Sequence, residues 1–315
     1  MPIIEEQNLT EFLAEVKLKM ENITFSNQKY IQEINNYVYE NDGKFIRSRL
    51  VYLYGSHIGI KNEKLLELAA AIELIHLSTL VHDDIIDDAP IRRGRPTIYK
   101  NWGAKKALLY GDYLYTKTFS TLNSLKNKNI AGVLIECAEK LIEGEFQQIS
   151  EVENQTNSLE KYKEIINAKT AVLFSGALKS IGIYAEFNAK QLDILFKLGH
   201  EFGYAFQLND DLMDFNSEIV SGKKKYKDLD EGKLTYPLLI SLESSMIVEK
   251  EEIYACMSAG NFQRIEKIIE SHNGFEKTRI ERDSSIKNCI EYTKNFIKLD
   301  NTNYIEFFLK DTLKA

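Results

Sequence analysis

Residues 62–87 read "NEKLLELAAAIELIHLSTLVHDDIID". Apolar side chains fall on nearly every face of a helix drawn through this run, the pattern of a helix packed on all sides. Pro90 follows shortly, and a proline predicts that the helix stops just before it. The run closes on Asp83, Asp84 and Asp87, with Asp88 next. Side chains four apart share a helix face, so Asp83 pairs with Asp87 and Asp84 with Asp88. Like charges at that spacing repel, and acid at a helix C-terminus opposes the macrodipole. On this stretch alone two readings stay open: a solvated helix end, or carboxylates that hold a cation. The continuation "APIRRGRPT" brings Arg92 and Arg93 directly after the acid.

The rest of the chain narrows the choice. Its four prolines are Pro2, Pro90, Pro96 and Pro237, with none between Thr97 and Tyr236. Long helices tolerate proline badly, so the gap favours them. "NAKQLDILFKLGHEFGYAFQLNDDLMDF", residues 188–215, reads as a second long helix with Asn188 as its N-cap. "IAGVLIECAEKLIEGEFQQI" and "SLEKYKEIINAKTAVLFSGALKSIGIY" also carry helical spacing. Strand-like alternation is scarce, and the C-terminal third is polar with weaker helical patterns. No repeat or linker divides the chain, so one all-α domain over residues 1–315 is expected.

The totals exclude several classes. The chain has 315 residues, enough for a substantial core. It is 44% hydrophobic and 28% charged, ordinary for a soluble globular protein. Net charge is −7, from 40 basic and 47 acidic residues, which argues against a nucleic-acid partner. An acidic protein that handles an anion needs metal ions or a local cluster of base. Cys137, Cys256 and Cys289 are widely spaced and form no CxxC. That suits a reducing compartment, here the cytoplasm, and predicts neither a disulfide framework nor a zinc site. "MPIIEEQNLTEF" lacks the apolar core of a secretory signal. No continuous apolar run of membrane-spanning length is read, so no transmembrane segment is expected.

The acidic pattern recurs. "FQLNDDLMDF" carries Asp210, Asp211 and Asp214 in the same DDxxD spacing, again closing a long apolar helix. Two surface accidents of identical spacing are much less plausible than one, so the pair favours a metal site. All-carboxylate donors are hard ligands, suited to Mg²⁺ shared with substrate phosphates. Basic groups supply the anion side. Arginine forks match phosphate oxygens, and Arg92 and Arg93 follow the first cluster. Lys44 and Arg47 share a helical turn after a glycine, and Lys223 and Lys233 lie in a glycine-punctuated loop. Most lysines are merely solvated. Lys169, beside Thr170, stands out because it interrupts an apolar run.

Taken in order, these motifs resemble the trans-polyprenyl diphosphate synthases over roughly residues 40–240. "DGKFIRS" is similar to that family's GGKxxRP, with Asp42 in place of a glycine and Ser48 in place of the proline. "HDDIIDDAPIRRGRPT" resembles its first aspartate-rich motif, "GDYLYTKTF" its GDxL segment and "GEFQQ" its GExxQ segment. Lys169-Thr170, "FQLNDDLMD" and "GKKKYKDLDEGKLTYP" resemble the later motifs. The resemblance implies an all-α helical bundle around a central cavity, working as a homodimer. It implies Mg²⁺-dependent condensation of isopentenyl diphosphate with an allylic diphosphate. Asp83, Asp84, Asp87, Asp210, Asp211 and Asp214 would bind Mg²⁺ that grips the allylic diphosphate. Arg92, Lys169, Thr170, Gln207, Lys223 and Lys233 would hold that diphosphate, and Lys44, Arg47, His76 and Arg93 would hold isopentenyl diphosphate. Asp83, Asp87, Lys169 and Asp210 would carry the catalysis.

His76 lies seven residues before Asp83, two turns back, and can project towards the same side. A lone histidine on an apolar helix is otherwise a packing residue, the reading given to His82. The implied chemistry ionises an allylic C–O bond, and charge developing on the leaving diphosphate is stabilised by metal and cationic side chains. No protein nucleophile is required. A class I terpene cyclase normally carries an Asn/Ser/Glu metal motif in place of a second DDxxD, and non-catalytic synthase subunits lack one or both clusters. Ser78 and Thr79, just before Asp83, are small where family members with short products carry bulky aromatics. A long-chain product is therefore expected, with farnesyl- or geranylgeranyl-length products as the alternative.

Overall fold

The structure, a computed structural model, describes residues 2–40, 43–154, 158–216, 225–244, 247–296 and 302–314. Among these, regular structure is helical apart from one short hairpin. The helices are α1 (Pro2–Ile23), α2 (Lys29–Tyr39), α3 (Ile46–Ile58), α4 (Asn62–Ile86), α5 (Ile98–Trp102), α6 (Ala104–Ser124) and α7 (Lys128–Asn154). Then come α8 (Leu159–Ile166), α9 (Val172–Tyr184), α10 (Ala189–Asp214), α11 (Lys227–Asp230), α12 (Tyr236–Ser244), α13 (Ile247–Ser258), α14 (Phe262–Ser271), α15 (Gly274–Thr293) and α16 (Thr302–Lys314). The chain divides into two compact units. One comprises Met1–Glu139, Leu173–Gly199 and Tyr292–Ile305, and the other Lys140–Val172, His200–Glu291 and Glu306–Ala315.

The first unit is organised by α4, which packs against α1, α3 and α6. Leu65, Leu68, Ile72 and Ile75 repeat at helical spacing and are almost wholly buried. Truncating one such leucine to alanine typically costs about 2–5 kcal/mol. The burial is not all round: His76, Thr79 and Asp83 are only half-buried, which opens one side of the helix near its C-terminal end. The helix stops at Ile86, before Pro90, as the sequence predicts. A hairpin follows, Ile91–Arg92 pairing antiparallel with Arg95–Pro96. Arg93 and Gly94 at its tip have φ of 51° and 74°, the conformation of a two-residue turn with both central residues left-handed.

One correction concerns apolarity. Among the described residues α4 alone is long and apolar enough to cross a membrane, where no run of that kind was expected. The most apolar window of α4 is 61% buried inside the protein, so its apolar side chains are matched by neighbouring helices.

The second unit has its own core, built from α8, α10, α12, α13 and α14. Leu208, Leu238, Ile253, Ile265 and Ile269 are fully buried there, and Tyr162, Tyr204 and Tyr236 border them. Between α8 and α9 a π-helical turn spans Asn167–Ala171. Single π-turns inserted among α-helices are rare and concentrate at functional sites. This one carries Lys169 and Thr170.

Candidate active site

At the end of α4 the acidic residues take different roles. Asp84 is 5% exposed and accepts a hydrogen bond from Arg92 Nε at 2.7 Å. The hairpin makes this possible by turning the chain back over the helix end. Asp83 and Asp87, the first and last residues of the motif, remain half-buried. The base that follows the acid thus neutralises Asp84 directly. His82 behaves as the packing residue expected of it: Nε2 lies 3.5 Å from Asp112 and the ring stacks on Tyr115 at 5.9 Å.

A cationic group forms beside this cluster, within the same unit. Arg47 is 8% exposed, with its guanidinium 4.5 Å from the Phe174 ring centroid. Burial lowers its pKa to about 10, and among the described residues its Nε has no hydrogen-bond partner. A buried donor left unpaired is costly, so this N–H has room for an acceptor from water or a ligand. Arg93 lies against the start of α3, where a Cβ on Gly43 would come within 2.8 Å of Nη1. Burial, then Arg47, Arg93 and Arg92, hold the His76 pKa well below its ordinary value. At neutral pH this imidazole is an uncharged donor among arginines. Lys44 is exposed, and its carbonyl accepts from Arg49. Asp42 lies outside the described residues.

The second unit repeats the division among aspartates. Asp211 is fully buried, and its carboxylate accepts from the Tyr162 hydroxyl, from Gln207 Nε2 at 3.0 Å and from the Tyr236 backbone N–H at 3.0 Å. Asp210 and Asp214 are half-buried. Asp214 Oδ1 accepts the Lys227 backbone N–H at 3.0 Å, tying α11 to the end of α10. In both motifs, then, the second aspartate is buried and the first and last are half-buried.

Thr170 donates to Gln207 Oε1 at 2.9 Å, so Thr170, Gln207 and Asp211 form one chain of hydrogen bonds. Lys169 Nζ is held by Glu145 and Gln148, both from "GEFQQ". Gly144 allows that approach, because a Cβ there would lie 2.6 Å from Ala168 Cβ and 2.9 Å from Lys169 Cγ. Lys233 pairs with Glu231 at 2.8 Å, and its N–H donates to the Asp228 carbonyl at 2.8 Å. Lys223 lies outside the described residues. Asp228 is a member of this cluster that the sequence reading left unassigned. Burial, then the charges of Asp214, Asp211 and Asp210, push its pKa up to about 8. Its only sequence signal is its place between the lysines of "GKKKYKDLDEGK".

Among the described residues no three His, Cys, Asp or Glu side chains converge as a metal cage. The donor set fits a different arrangement. Each motif offers two half-buried carboxylates one turn apart, and Mg²⁺ usually takes one or two carboxylates with the remainder from water and substrate phosphates.

Long helices that end in paired hard carboxylates, with a buried guanidinium nearby, fit the class of helical proteins that bind phosphorylated anions through metal and arginine. The chain belongs to the polyprenyl synthetase family, whose pattern matches residues 28–272. It is 33% identical to the octaprenyl diphosphate synthase of Escherichia coli (strain K12) over 250 residues, 79% of this chain and 77% of that one. It is 30% identical to the geranylgeranyl diphosphate synthase of Saccharolobus solfataricus over 298 residues, 89% of this chain and 90% of that one. Its fold superposes on the crystal structure of polyprenyl synthase from Caulobacter crescentus CB15 complexed with calcium and isoprenyl diphosphate. That match has a TM-score of 0.90 and 25% identity, covering 98% of this chain and 96% of the other. The protein is a prenyltransferase of the trans-polyprenyl diphosphate synthase type, with the all-α isoprenoid synthase fold.

Proposed function

We propose that the protein condenses isopentenyl diphosphate with an allylic diphosphate primer, in the presence of Mg²⁺, to give a long-chain all-trans polyprenyl diphosphate. The observation that carries this reading is the repeated division of labour in the two DDxxD motifs. Each anchors its second aspartate on protein donors and keeps the first and last half-buried at a helix end. Mg²⁺, when bound, would neutralise charge on the departing diphosphate. Asp83 with Asp87, and Asp210 with Asp214, would each hold such ions, with Asp84 and Asp211 fixing the helix ends. Lys169 and Thr170 orient the allylic diphosphate, Lys169 kept in place by Glu145 and Gln148. Arg47, Arg93, Lys44 and neutral His76 bind isopentenyl diphosphate, the free Arg47 N–H being the donor that awaits an oxygen. Exclusion of water protects the allylic cation from capture.

Small Thr79 and the uninserted first motif support the long product. Ser78 has a different role: it is fully buried and donates to the Gly111 carbonyl at 2.8 Å. The test is to incubate the protein with isopentenyl diphosphate, farnesyl diphosphate and Mg²⁺, then chromatograph the dephosphorylated products.

We further propose a homodimer. Ile135, Ile142 and Phe146 on α7 are 39%, 48% and 71% exposed and lie seven and eleven residues apart from Ile135, on one helix face. A solvent-facing apolar stripe of this kind marks an interaction surface. Phe146→Glu should shift the protein towards monomer in sedimentation analysis, and an unchanged dimer would remove α7 from the interface. The three cysteines, all buried and widely spaced along the chain, support a reducing, cytoplasmic setting.

A further inference from the structure

The motif "DGKFIRS" departs from its family pattern at Ser48, and the structure gives that departure a consequence. Helix α3 begins at Ile46, after a left-handed Phe45 that offers no side-chain cap. The first N–H groups of a helix need partners from outside it. A proline in the first turn avoids the need, because it has no N–H. Ser48 brings the N–H back and adds a hydroxyl. Both donate to one oxygen of Glu73 on α4, the N–H at 3.0 Å and the hydroxyl at 2.8 Å. The contact is sealed, with Ser48 0% and Glu73 6% exposed. Negative charge at a helix N-terminus is also favoured by the macrodipole.

Glu73 sits one turn before His76; burial raises its pKa, and the charge of Arg47, the Ser48 hydrogen bonds and the charge of Arg93 oppose that rise. A carboxylate beside an arginine ordinarily forms a direct, often bidentate pair. Here Oε1 is occupied by Ser48, and the buried Arg47 Nε is without a hydrogen-bond partner among the described residues. We infer that Ser48 is a positioning residue for the isopentenyl diphosphate pocket. It holds Glu73 on the α3 N-terminus, so the carboxylate offsets the buried charge of Arg47 without occupying the N–H that the diphosphate needs. This rests on the reading of Arg47 as a diphosphate ligand.

The test measures KM for isopentenyl diphosphate and for the allylic primer separately, on the full chain. Ser48→Ala keeps the N–H and removes the hydroxyl, releasing Glu73 towards Arg47. KM for isopentenyl diphosphate should rise about three- to ten-fold, the span of one hydrogen bond's net worth. The kcat and the allylic KM should hold, and Ser48→Thr should restore the starting value. Adding Glu73→Gln to Ser48→Ala should bring KM back down, because a neutral amide does not compete as an ion pair. Damage to packing alone gives the opposite sign, a double variant at least as impaired as either single one. Glu73→Gln alone, which keeps the acceptor for Ser48, should leave this KM at or below the starting value and serves if Ser48→Ala does not fold. An unchanged KM in folded Ser48→Ala, a raised one in Glu73→Gln, or a double variant worse than Ser48→Ala overturns the inference. Arg47→Ala separates the two levels. If it leaves KM for isopentenyl diphosphate unchanged, the pocket reading itself fails. If it raises KM while Ser48→Ala does not, only the role of Ser48 fails.

Discussion

Tyr162 donates its phenolic hydroxyl to the carboxylate of Asp211, and the two side chains are 7% and 0% exposed. Burial disfavours the charged carboxylate and outweighs its three hydrogen-bond donors, so its pKa is pushed up to about 6. The sign of the linkage follows. The unfolded aspartate releases its proton near pH 4, the folded one near 6. Stability therefore falls as pH rises through that window, and the whole penalty is present above it. Asp211→Asn removes the titration. Relative to the native protein, metal-free Asp211→Asn should melt higher at pH 8 than it does at pH 4, by a difference on the order of 1–3 kcal/mol. Thermal melts at the two pH values check this; an equal effect at both would show that Asp211 carries no burial penalty.

The two motifs should respond unequally along their length. Asp83→Ala or Asp210→Ala removes a half-buried carboxylate at a helix end, and turnover should fall by orders of magnitude, since leaving-group stabilisation belongs to the transition state. Asp84→Asn, whose parent side chain is already paired with Arg92, should lose less. A chelator should abolish activity in the native protein and added Mg²⁺ should restore it. Steady-state rates that rank Asp84→Asn below Asp83→Ala would reverse the division.

Gly144→Ala places a Cβ against Ala168 and Lys169. The π-turn must shift, and Lys169 leaves its seat between Glu145 and Gln148. The allylic KM should rise and kcat fall, with the isopentenyl diphosphate KM little changed. Losing one charge-assisted contact corresponds to roughly 1.5–3 kcal/mol. Separate titrations of the two substrates decide it, and normal allylic kinetics in the folded variant would detach the π-turn from that substrate.

Thr79 and Ser78 should part company. Thr79 is half-buried, and its hydroxyl donates back to the His76 carbonyl at 2.8 Å. Thr79→Phe should shorten the product while the enzyme stays active. Ser78→Phe has no space beside Gly111 and should destabilise the fold, since overpacking a core typically costs about 1–3 kcal/mol. Chromatography of the products and a melting curve for each variant separate the two; full-length product from active Thr79→Phe would remove Thr79 from the tail's path.

What the sequence revealed was what repeats along a helix. The runs ending at Asp87 and Asp214 showed their length, their apolar character and their acidic ends through spacing alone. The N-cap at Asn188 was equally visible. Its side chain accepts the Gln191 N–H at 3.1 Å while Gln191 returns the bond at 3.1 Å, the reciprocal pattern of a capping box. What stayed hidden depends on contacts between elements. The pairing of Asp84 with Arg92 requires a hairpin too short to leave a period. The π-turn at Lys169 has no compositional mark. Glu73 reads in sequence as one acid on an apolar helix, and its purpose emerges only where α3 begins. Asp228 joins the second cluster because α11 folds back on Asp214, which no local pattern announces.

The central claim is long-chain prenyl elongation by this chain, and one measurement reaches it most directly. Purified protein is given isopentenyl diphosphate, farnesyl diphosphate and Mg²⁺, and the dephosphorylated products are separated by length. The account predicts all-trans products several isoprene units longer than the primer, absent when chelator is present. Quantitative recovery of unextended farnesyl diphosphate, or its conversion to a cyclic hydrocarbon, would contradict it.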